Sequence, residues 1–206
     1  VNSEDKEDAL TLEILETIEN DSAVTQRHLA TNMGVALGLA NSYLRRCARK
    51  GLIKVHQAPA NRYLYYLTPK GFAEKSRLTA KYLSSSFEFY RRAGDACRTV
   101  FNRCRERGWR RVVLCGYSEL TEIALLRAQE EPDIEVIGIY DPKQKVDIRF
   151  GLPVWKDFKE IAEHDALVLT TLKKPVEFLQ HLNQSAVNRE SIFVPSVLGL
   201  SKDALN

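Results

Sequence analysis

No apolar run in this sequence approaches the roughly 20 residues that a helix needs to cross a bilayer. The opening VNSEDKEDAL is acidic and polar, where a leader would carry a basic segment and then an apolar one. A cytoplasmic protein with no membrane contact is the expectation. Cysteine is scarce: Cys47, Cys97, Cys104 and Cys115 form no C-x-x-C pair and stand at no metal-like spacing from His28, His56, His164 or His181. Reduced thiols and no metal site follow. Cys115 ends an apolar run beside Gly116, near a helix start where a thiol pKa can fall, but a small buried strand residue is the simpler reading.

Charge is plentiful and unevenly placed. Residues 1–111 carry 20 Lys+Arg against 12 Asp+Glu, and residues 112–206 carry 10 against 15, so a net of +8 is followed by −5. Between 25 and 111 the count is 19 basic to 4 acidic, which assigns any polyanion partner to the first half of the chain. In the same stretch, Leu29, Ala30 and Met33 make one apolar stripe at helical spacing. Gly34 suits a tight turn, and Val35, Ala40, Tyr43 and Leu44 make the next stripe. That is the spacing of a helix-turn-helix, whose second helix enters the DNA major groove. Its other face carries Gly38, Asn41, Ser42, Arg45 and Arg49, with Arg46 beside them. Small residues there let the backbone approach the bases, a side-chain amide at Asn41 can read adenine, and the arginines reach flanking phosphates. Arg27 and Leu37 complete the expected contacts of the motif.

Residues 9–20 place Leu12, Ile14, Leu15 and Ile18 on one side of a helix that packs behind the motif, after a frayed tail over 1–8. LIKV (52–55) and RYLYYL (62–67) read as a hairpin around HQAPAN, which makes a winged helix with Arg62 as the cation of the wing. Tyr63, Tyr65 and Tyr66 fit alternating strand faces better than stacking platforms for single strands. Thr68-Pro69 starts a helix that is expected to break at Ser84-Ser85-Ser86 and resume to about Cys104. Tyr90, Ala93, Cys97, Val100 and Cys104 form a seam for a second copy or for packing within the chain.

The segment TQRHLATNMGVALGLANSYLRRCARKGLIKV with RYLYYLTPKGFAEKSRLTAKYL resembles the MarR-type winged-helix regulators found with exopolysaccharide biosynthesis genes. The matching positions include Gln26-Arg27, Leu29-Ala30, Gly34, Gly38, Asn41, Leu44, Lys50-Gly51 and the run Leu67-Thr68-Pro69-Lys70-Gly71. The likeness covers about residues 10–90. It departs at Leu39, where these relatives carry a basic residue, and in a shorter wing. The resemblance implies sequence-specific binding of double-stranded DNA as a homodimer.

From Arg111 the pattern changes. VVLC, IEVIGIY, ALVLTTL and SIFVPS read as buried strands that alternate with the helices SELTEIALLRAQEE, DFKEIAEH and KPVEFLQHLNQ, with GLPVW before the middle one. Strand and helix in alternation predict a small Rossmann-like parallel sheet. The fold class is therefore α/β plus winged helix: a DNA-binding winged helix-turn-helix domain over 9–83, a helical linker or dimerisation helix over 84–108, and a ligand-sensing or dimerisation domain over 109–206. This order is similar to that of the Rex redox-sensing repressors. Where those carry G-x-G-x-x-G, this chain has Gly116-Tyr117-Ser118-Glu119-Leu120-Thr121, one glycine of three, and acids where a diphosphate would bind. An ordinary NAD mode is therefore not expected. The crevice at the strand-order switch is expected to gather Gly116, Tyr117 and Ser118 with Thr170, Thr171 and Lys173, and with Asp141 as a ribose-binding acid.

Together these readings describe a ligand-modulated, DNA-binding transcription regulator. Its effector is a small molecule of nucleotide, nucleotide-sugar or dinucleotide type. No nucleophile with a base, metal cluster or intact cofactor loop is visible, so no catalytic residues and no enzyme are expected. The alternative is an enzyme acting on a nucleotide or nucleotide sugar, with the winged helix as an accessory.

Overall fold

The computed structural model describes residues 3–59, 62–185 and 188–200, and the chain divides into two compact units between Phe87 and Glu88. In the first, α1 (Ser3–Asn20), α2 (Gln26–Asn32) and α3 (Leu37–Arg49) are followed by the antiparallel pair β1 (Ile53–Ala58) and β2 (Arg62–Leu67) and by the start of α4 (Pro69–Glu106). Leu12, Ile14, Leu15 and Ile18 of α1 meet Leu29, Leu44, Cys47, Ile53, Tyr65 and Leu78 in one core. This is a winged helix. The expected tail over 1–8 is helical from Ser3. Acids in its first turn suit the helix dipole, and Asp8 is held by Lys81 at 2.7 Å. The wing is longer than expected, because His56 and Gln57 pair with Leu64 and Tyr63 instead of turning.

The Leu67–Gly71 run has a structural job. Thr68 donates from Oγ1 to the Gly51 carbonyl at 2.6 Å and accepts the Gly71 N–H at 3.0 Å, which caps α4 on the end of the strand connection. Gly71 lies so near that an added Cβ would sit 2.0 Å from the Leu52 carbonyl oxygen. The helix then runs unbroken through Ser84–Ser86 to Glu106, 38 residues in all. Three serines cost less than about 0.7 kcal/mol each against alanine, too little to end a helix without proline or glycine.

The second unit is a six-stranded sheet in the order β5-β6-β4-β3-β7-β8. Its strands are β3 (Arg111–Cys115), β4 (Glu135–Tyr140), β5 (Ile148–Arg149), β6 (Leu152–Trp155), β7 (Ala166–Leu169) and β8 (Ile192–Phe193). All pair in parallel except β5, which returns on β6 as an edge hairpin. Counting parallel strands along the chain gives the order 3-2-1-4-5, so the direction of winding switches between β3 and β7. One face of the sheet takes α5 (Glu119–Ala128) and the end of α4; the other takes α6 (Pro175–Ser185). Ala93, Cys97, Val100 and Cys104, the small residues of the α4 seam, are buried on Val112, Leu114 and Val168, within this unit. The expected helix over DFKEIAEH is one 3-10 turn, Phe158–Glu160, capped by Asp157. Phe158 and Ile161 are its only apolar anchors into the core.

Burial raises every thiol: Cys47 and Cys104 to about 11, Cys97 to about 12, and Cys115 further. Cys115 is thus a buried strand residue with no lowered pKa. Among the described residues no helix is long and apolar enough to cross a membrane, and no three His, Cys, Asp or Glu side chains gather as a metal would require.

Candidate nucleic-acid and ligand surfaces

α3 buries Ala40, Leu44 and Cys47, which turns Gly38, Ser42, Arg45 and Arg49 to solvent along the opposite side. Arg45 and Arg49 have no ion-pair partner among the described residues; nor do Arg27, exposed in the first turn of α2, and Arg62 at the start of β2. Arg46 differs from the rest, because it reaches back to Glu7 of α1 in an ion pair. That pair ties α3 to α1 while leaving the Arg46 side chain 41% exposed. Asn41 lies half-buried at the flank, and its Oδ1 is buried without a hydrogen-bond partner. Leu37 and Leu39 stand 43% and 45% exposed on either side of Gly38. The exposure of Leu39 could have been read from its angle on the helix, far from the Ala40–Leu44–Cys47 stripe.

In the α/β unit the strand-order switch does hold a cavity, of ≈ 460 Å³, walled by Tyr117, Ser118, Asp141, Lys143, Thr171 and Lys173. Lys143 was not singled out in the sequence; it follows Asp141 by two residues at the same strand end. Gly116 and Thr170 lie beneath this wall, not on it. Gly116 leaves β3 at φ +84°, and a Cβ there would fall 2.5 Å from Cβ of Thr171. Its carbonyl accepts from Thr121 Oγ1 at 2.9 Å and from Thr170 Oγ1 at 2.7 Å.

The first turn of α5 is closed in the same way. Ser118 Oγ accepts from the Leu120 N–H at 3.1 Å and donates to the Thr170 carbonyl, while Thr121 Oγ1 accepts from the Ser118 N–H at 2.9 Å. This capping box consumes donors that a diphosphate would need at a helix start. Asp141 receives the N–H of Tyr117 on one oxygen and that of Lys143 on the other, both at 2.9 Å, so it fastens two loops together. The residues therefore do not fit a dinucleotide held in the usual way. Lys143 and Lys173, which form no ion pair among the described residues, are the landing points left for an anion; Lys174 is paired with Glu177 at 2.8 Å. At the rim, the Tyr117 hydroxyl donates to Glu122 at 2.7 Å, which raises the tyrosine pKa, and the Arg149 guanidinium lies 4.0 Å from the ring centre.

The fold and these two surfaces define a bipartite protein: a winged helix joined to a Rossmann-like module. Residues 7–54 match a family described as winged helix-turn-helix DNA-binding. No curated protein sequence matches the chain. Among solved structures, MepR, a transcription regulator of the Staphylococcus aureus multidrug efflux pump MepA, is 23% identical over 40% of this chain, with a TM-score of 0.35. This chain spans only 60% of that structure. Human N-acetylserotonin methyltransferase in complex with SAM aligns with 91% of this chain and 75% of its own, at 12% identity and a TM-score of 0.31. The S-adenosylmethionine-dependent methyltransferase SibL aligns with 92% and 73%, at 10% and 0.28. Each likeness is one of fold. The expectation that the chain is not an enzyme is nevertheless corrected here. Methyltransferases are among the solved structures that align with most of its length.

Proposed function

We propose that the chain is a cytoplasmic transcription regulator that binds double-stranded DNA sequence-specifically through α3 and the wing, acting as a homodimer. In this reading its α/β unit takes a small ligand of nucleotide type, whose anionic group rests on Lys143 and Lys173. The observation that carries the DNA half is the contrast among arginines. Within the winged helix Arg46 and Arg77 are each matched to a carboxylate, whereas Arg27 of α2, Arg45 and Arg49 of α3 and Arg62 of β2 form no ion pair among the described residues and are exposed. A homodimer is supported by Tyr82, Leu83 and Phe87, large apolar side chains exposed together on α4.

Selection from randomised duplexes, followed by titration of the full chain across salt concentrations, tests the DNA half. Arg45→Ala and Arg49→Ala should each flatten the slope of log K against log [salt] by about 1, and a wild-type slope near zero would refute the reading. A thermal-shift panel of nucleoside phosphates, nucleotide sugars and dinucleotides tests the ligand half: a ligand at 100 times its Kd adds about 2.7 kcal/mol.

A second reading, an enzyme acting on a nucleotide or nucleotide sugar, is favoured by the Tyr117–Glu122 pair. A proton donor and a carboxylate meet there at the rim of the cavity. It requires product formation from the panel compounds that Glu122→Gln abolishes while the thermal shift persists.

A further inference from the structure

The start of α3 breaks several local rules at once. Ala36 stands at the N-cap with no side-chain acceptor, and the N–H groups of Leu37 and Gly38 find no acceptor among the described residues. Gly38 sits inside the first turn, where glycine weakens a helix. Nothing in the fold asks for it: its φ is not positive, and an added Cβ would meet no atom within 4 Å. Gly71 and Gly116 are both required by close neighbours; Gly38 is not. Its small size leaves the backbone of the first turn open to solvent. Leu37 and Leu39 flank it, and two large apolar side chains in water lower the free energy only when an apolar surface covers them.

The unpaired Arg45 and Arg49 on the same helix call for a polyanion, and the apolar group that duplex DNA offers in its major groove is the C5 methyl of thymine. Phosphate contacts carry no sequence information, and the oxygen of the Asn41 amide is turned inward. We propose that Leu37 and Leu39 are specificity-determining residues that pack on thymine methyl groups, with Gly38 letting the helix backbone close on the base edges between them. This rests on the DNA-binding reading and names what that surface selects.

The test uses the full chain and the tightest duplex from selection, compared with versions in which each thymine in turn is replaced by deoxyuridine. Uracil keeps every hydrogen-bonding group and removes one methyl. At one or two positions the wild type should lose about fourfold in affinity per methyl. Leu37→Ala and Leu39→Ala, exposed and better suited to a helix, should bind the thymine and uracil duplexes alike at the position each side chain covers. Equal wild-type affinity for every uracil duplex, with a steep salt slope, overturns this inference and leaves the DNA reading standing. Alanine variants that keep the full methyl preference also overturn it. If no duplex is enriched, both fall together.

Discussion

The two surfaces are built in opposite senses. On the solvent face of α3 several groups are left without partners: Arg45 and Arg49 form no ion pair among the described residues, Leu37 and Leu39 are exposed, Ala36 does not cap, and Gly38 opens onto nothing. At the sheet switch the buried polar groups already have them. Ser118, Thr121, Asp141, Thr170 and Thr171 bond to the loops that carry them. Buried polar groups that satisfy one another stabilise a fold, whereas groups that lose stability where they stand mark a place built for a partner. The first unit therefore bears the stronger mark of binding, and the second binds through what lies above its closed loop.

One substitution, made twice, divides the surfaces most sharply. Gly116→Ala should destabilise by about 3 kcal/mol, because a Cβ there meets both a positive φ and the Thr171 side chain. Denaturant unfolding measures it, and a loss under about 1 kcal/mol would mean that the loop is slack.

A smaller effect comes from Asp165, another carboxylate that accepts backbone N–H groups. It accepts the N–H groups of Arg110 and Arg111 at 2.8 Å each and ties the start of β7 to that of β3. The Arg111 N–H above all, then that of Arg110, holds its carboxyl below the usual range despite partial burial. A depressed folded pKa contributes stability above the unfolded value and loses it as pH falls through the folded one. Asp165→Ala should cost about 1.5 kcal/mol at neutral pH, and the gap to wild type should close as pH drops below about 4. A gap independent of pH would assign the effect to packing.

The smallest effect has the opposite sign. Gly38→Ala should raise stability by about 0.5–1 kcal/mol while weakening DNA binding, a trade that no inward-facing residue offers. A melt against a binding titration of the same variant decides it.

The fold was legible where the signal is local and periodic. Leu29, Ala30 and Met33, then Ala40 and Leu44, announced two helices around a turn. The Val- and Ile-rich runs announced a parallel sheet whose crevice follows its first and fourth strands. Where sequence reading failed, distant partners had decided. Lys81 and Arg46 draw the acidic start of α1 into order; α4 passes its serines without penalty; DFKEIAEH keeps only one turn, with Phe158 and Ile161 as its apolar anchors. The candidate sites follow the same rule. That Asp141 would sit at a strand end could be counted along the chain. That its oxygens would be taken by the backbones of Tyr117 and Lys143, or that Arg46 would turn to Glu7, depends on three-dimensional neighbours that spacing does not encode.

The buried thiols turn the chain into its own reporter of opening. With Cys47 in one unit and Cys97, Cys104 and Cys115 in the other, the folded protein should look free of cysteine to an alkylating reagent, and each modification counts an opening event where it occurs. Mass mapping of alkylated peptides over time would then clock the breathing of the two units separately, with no label added.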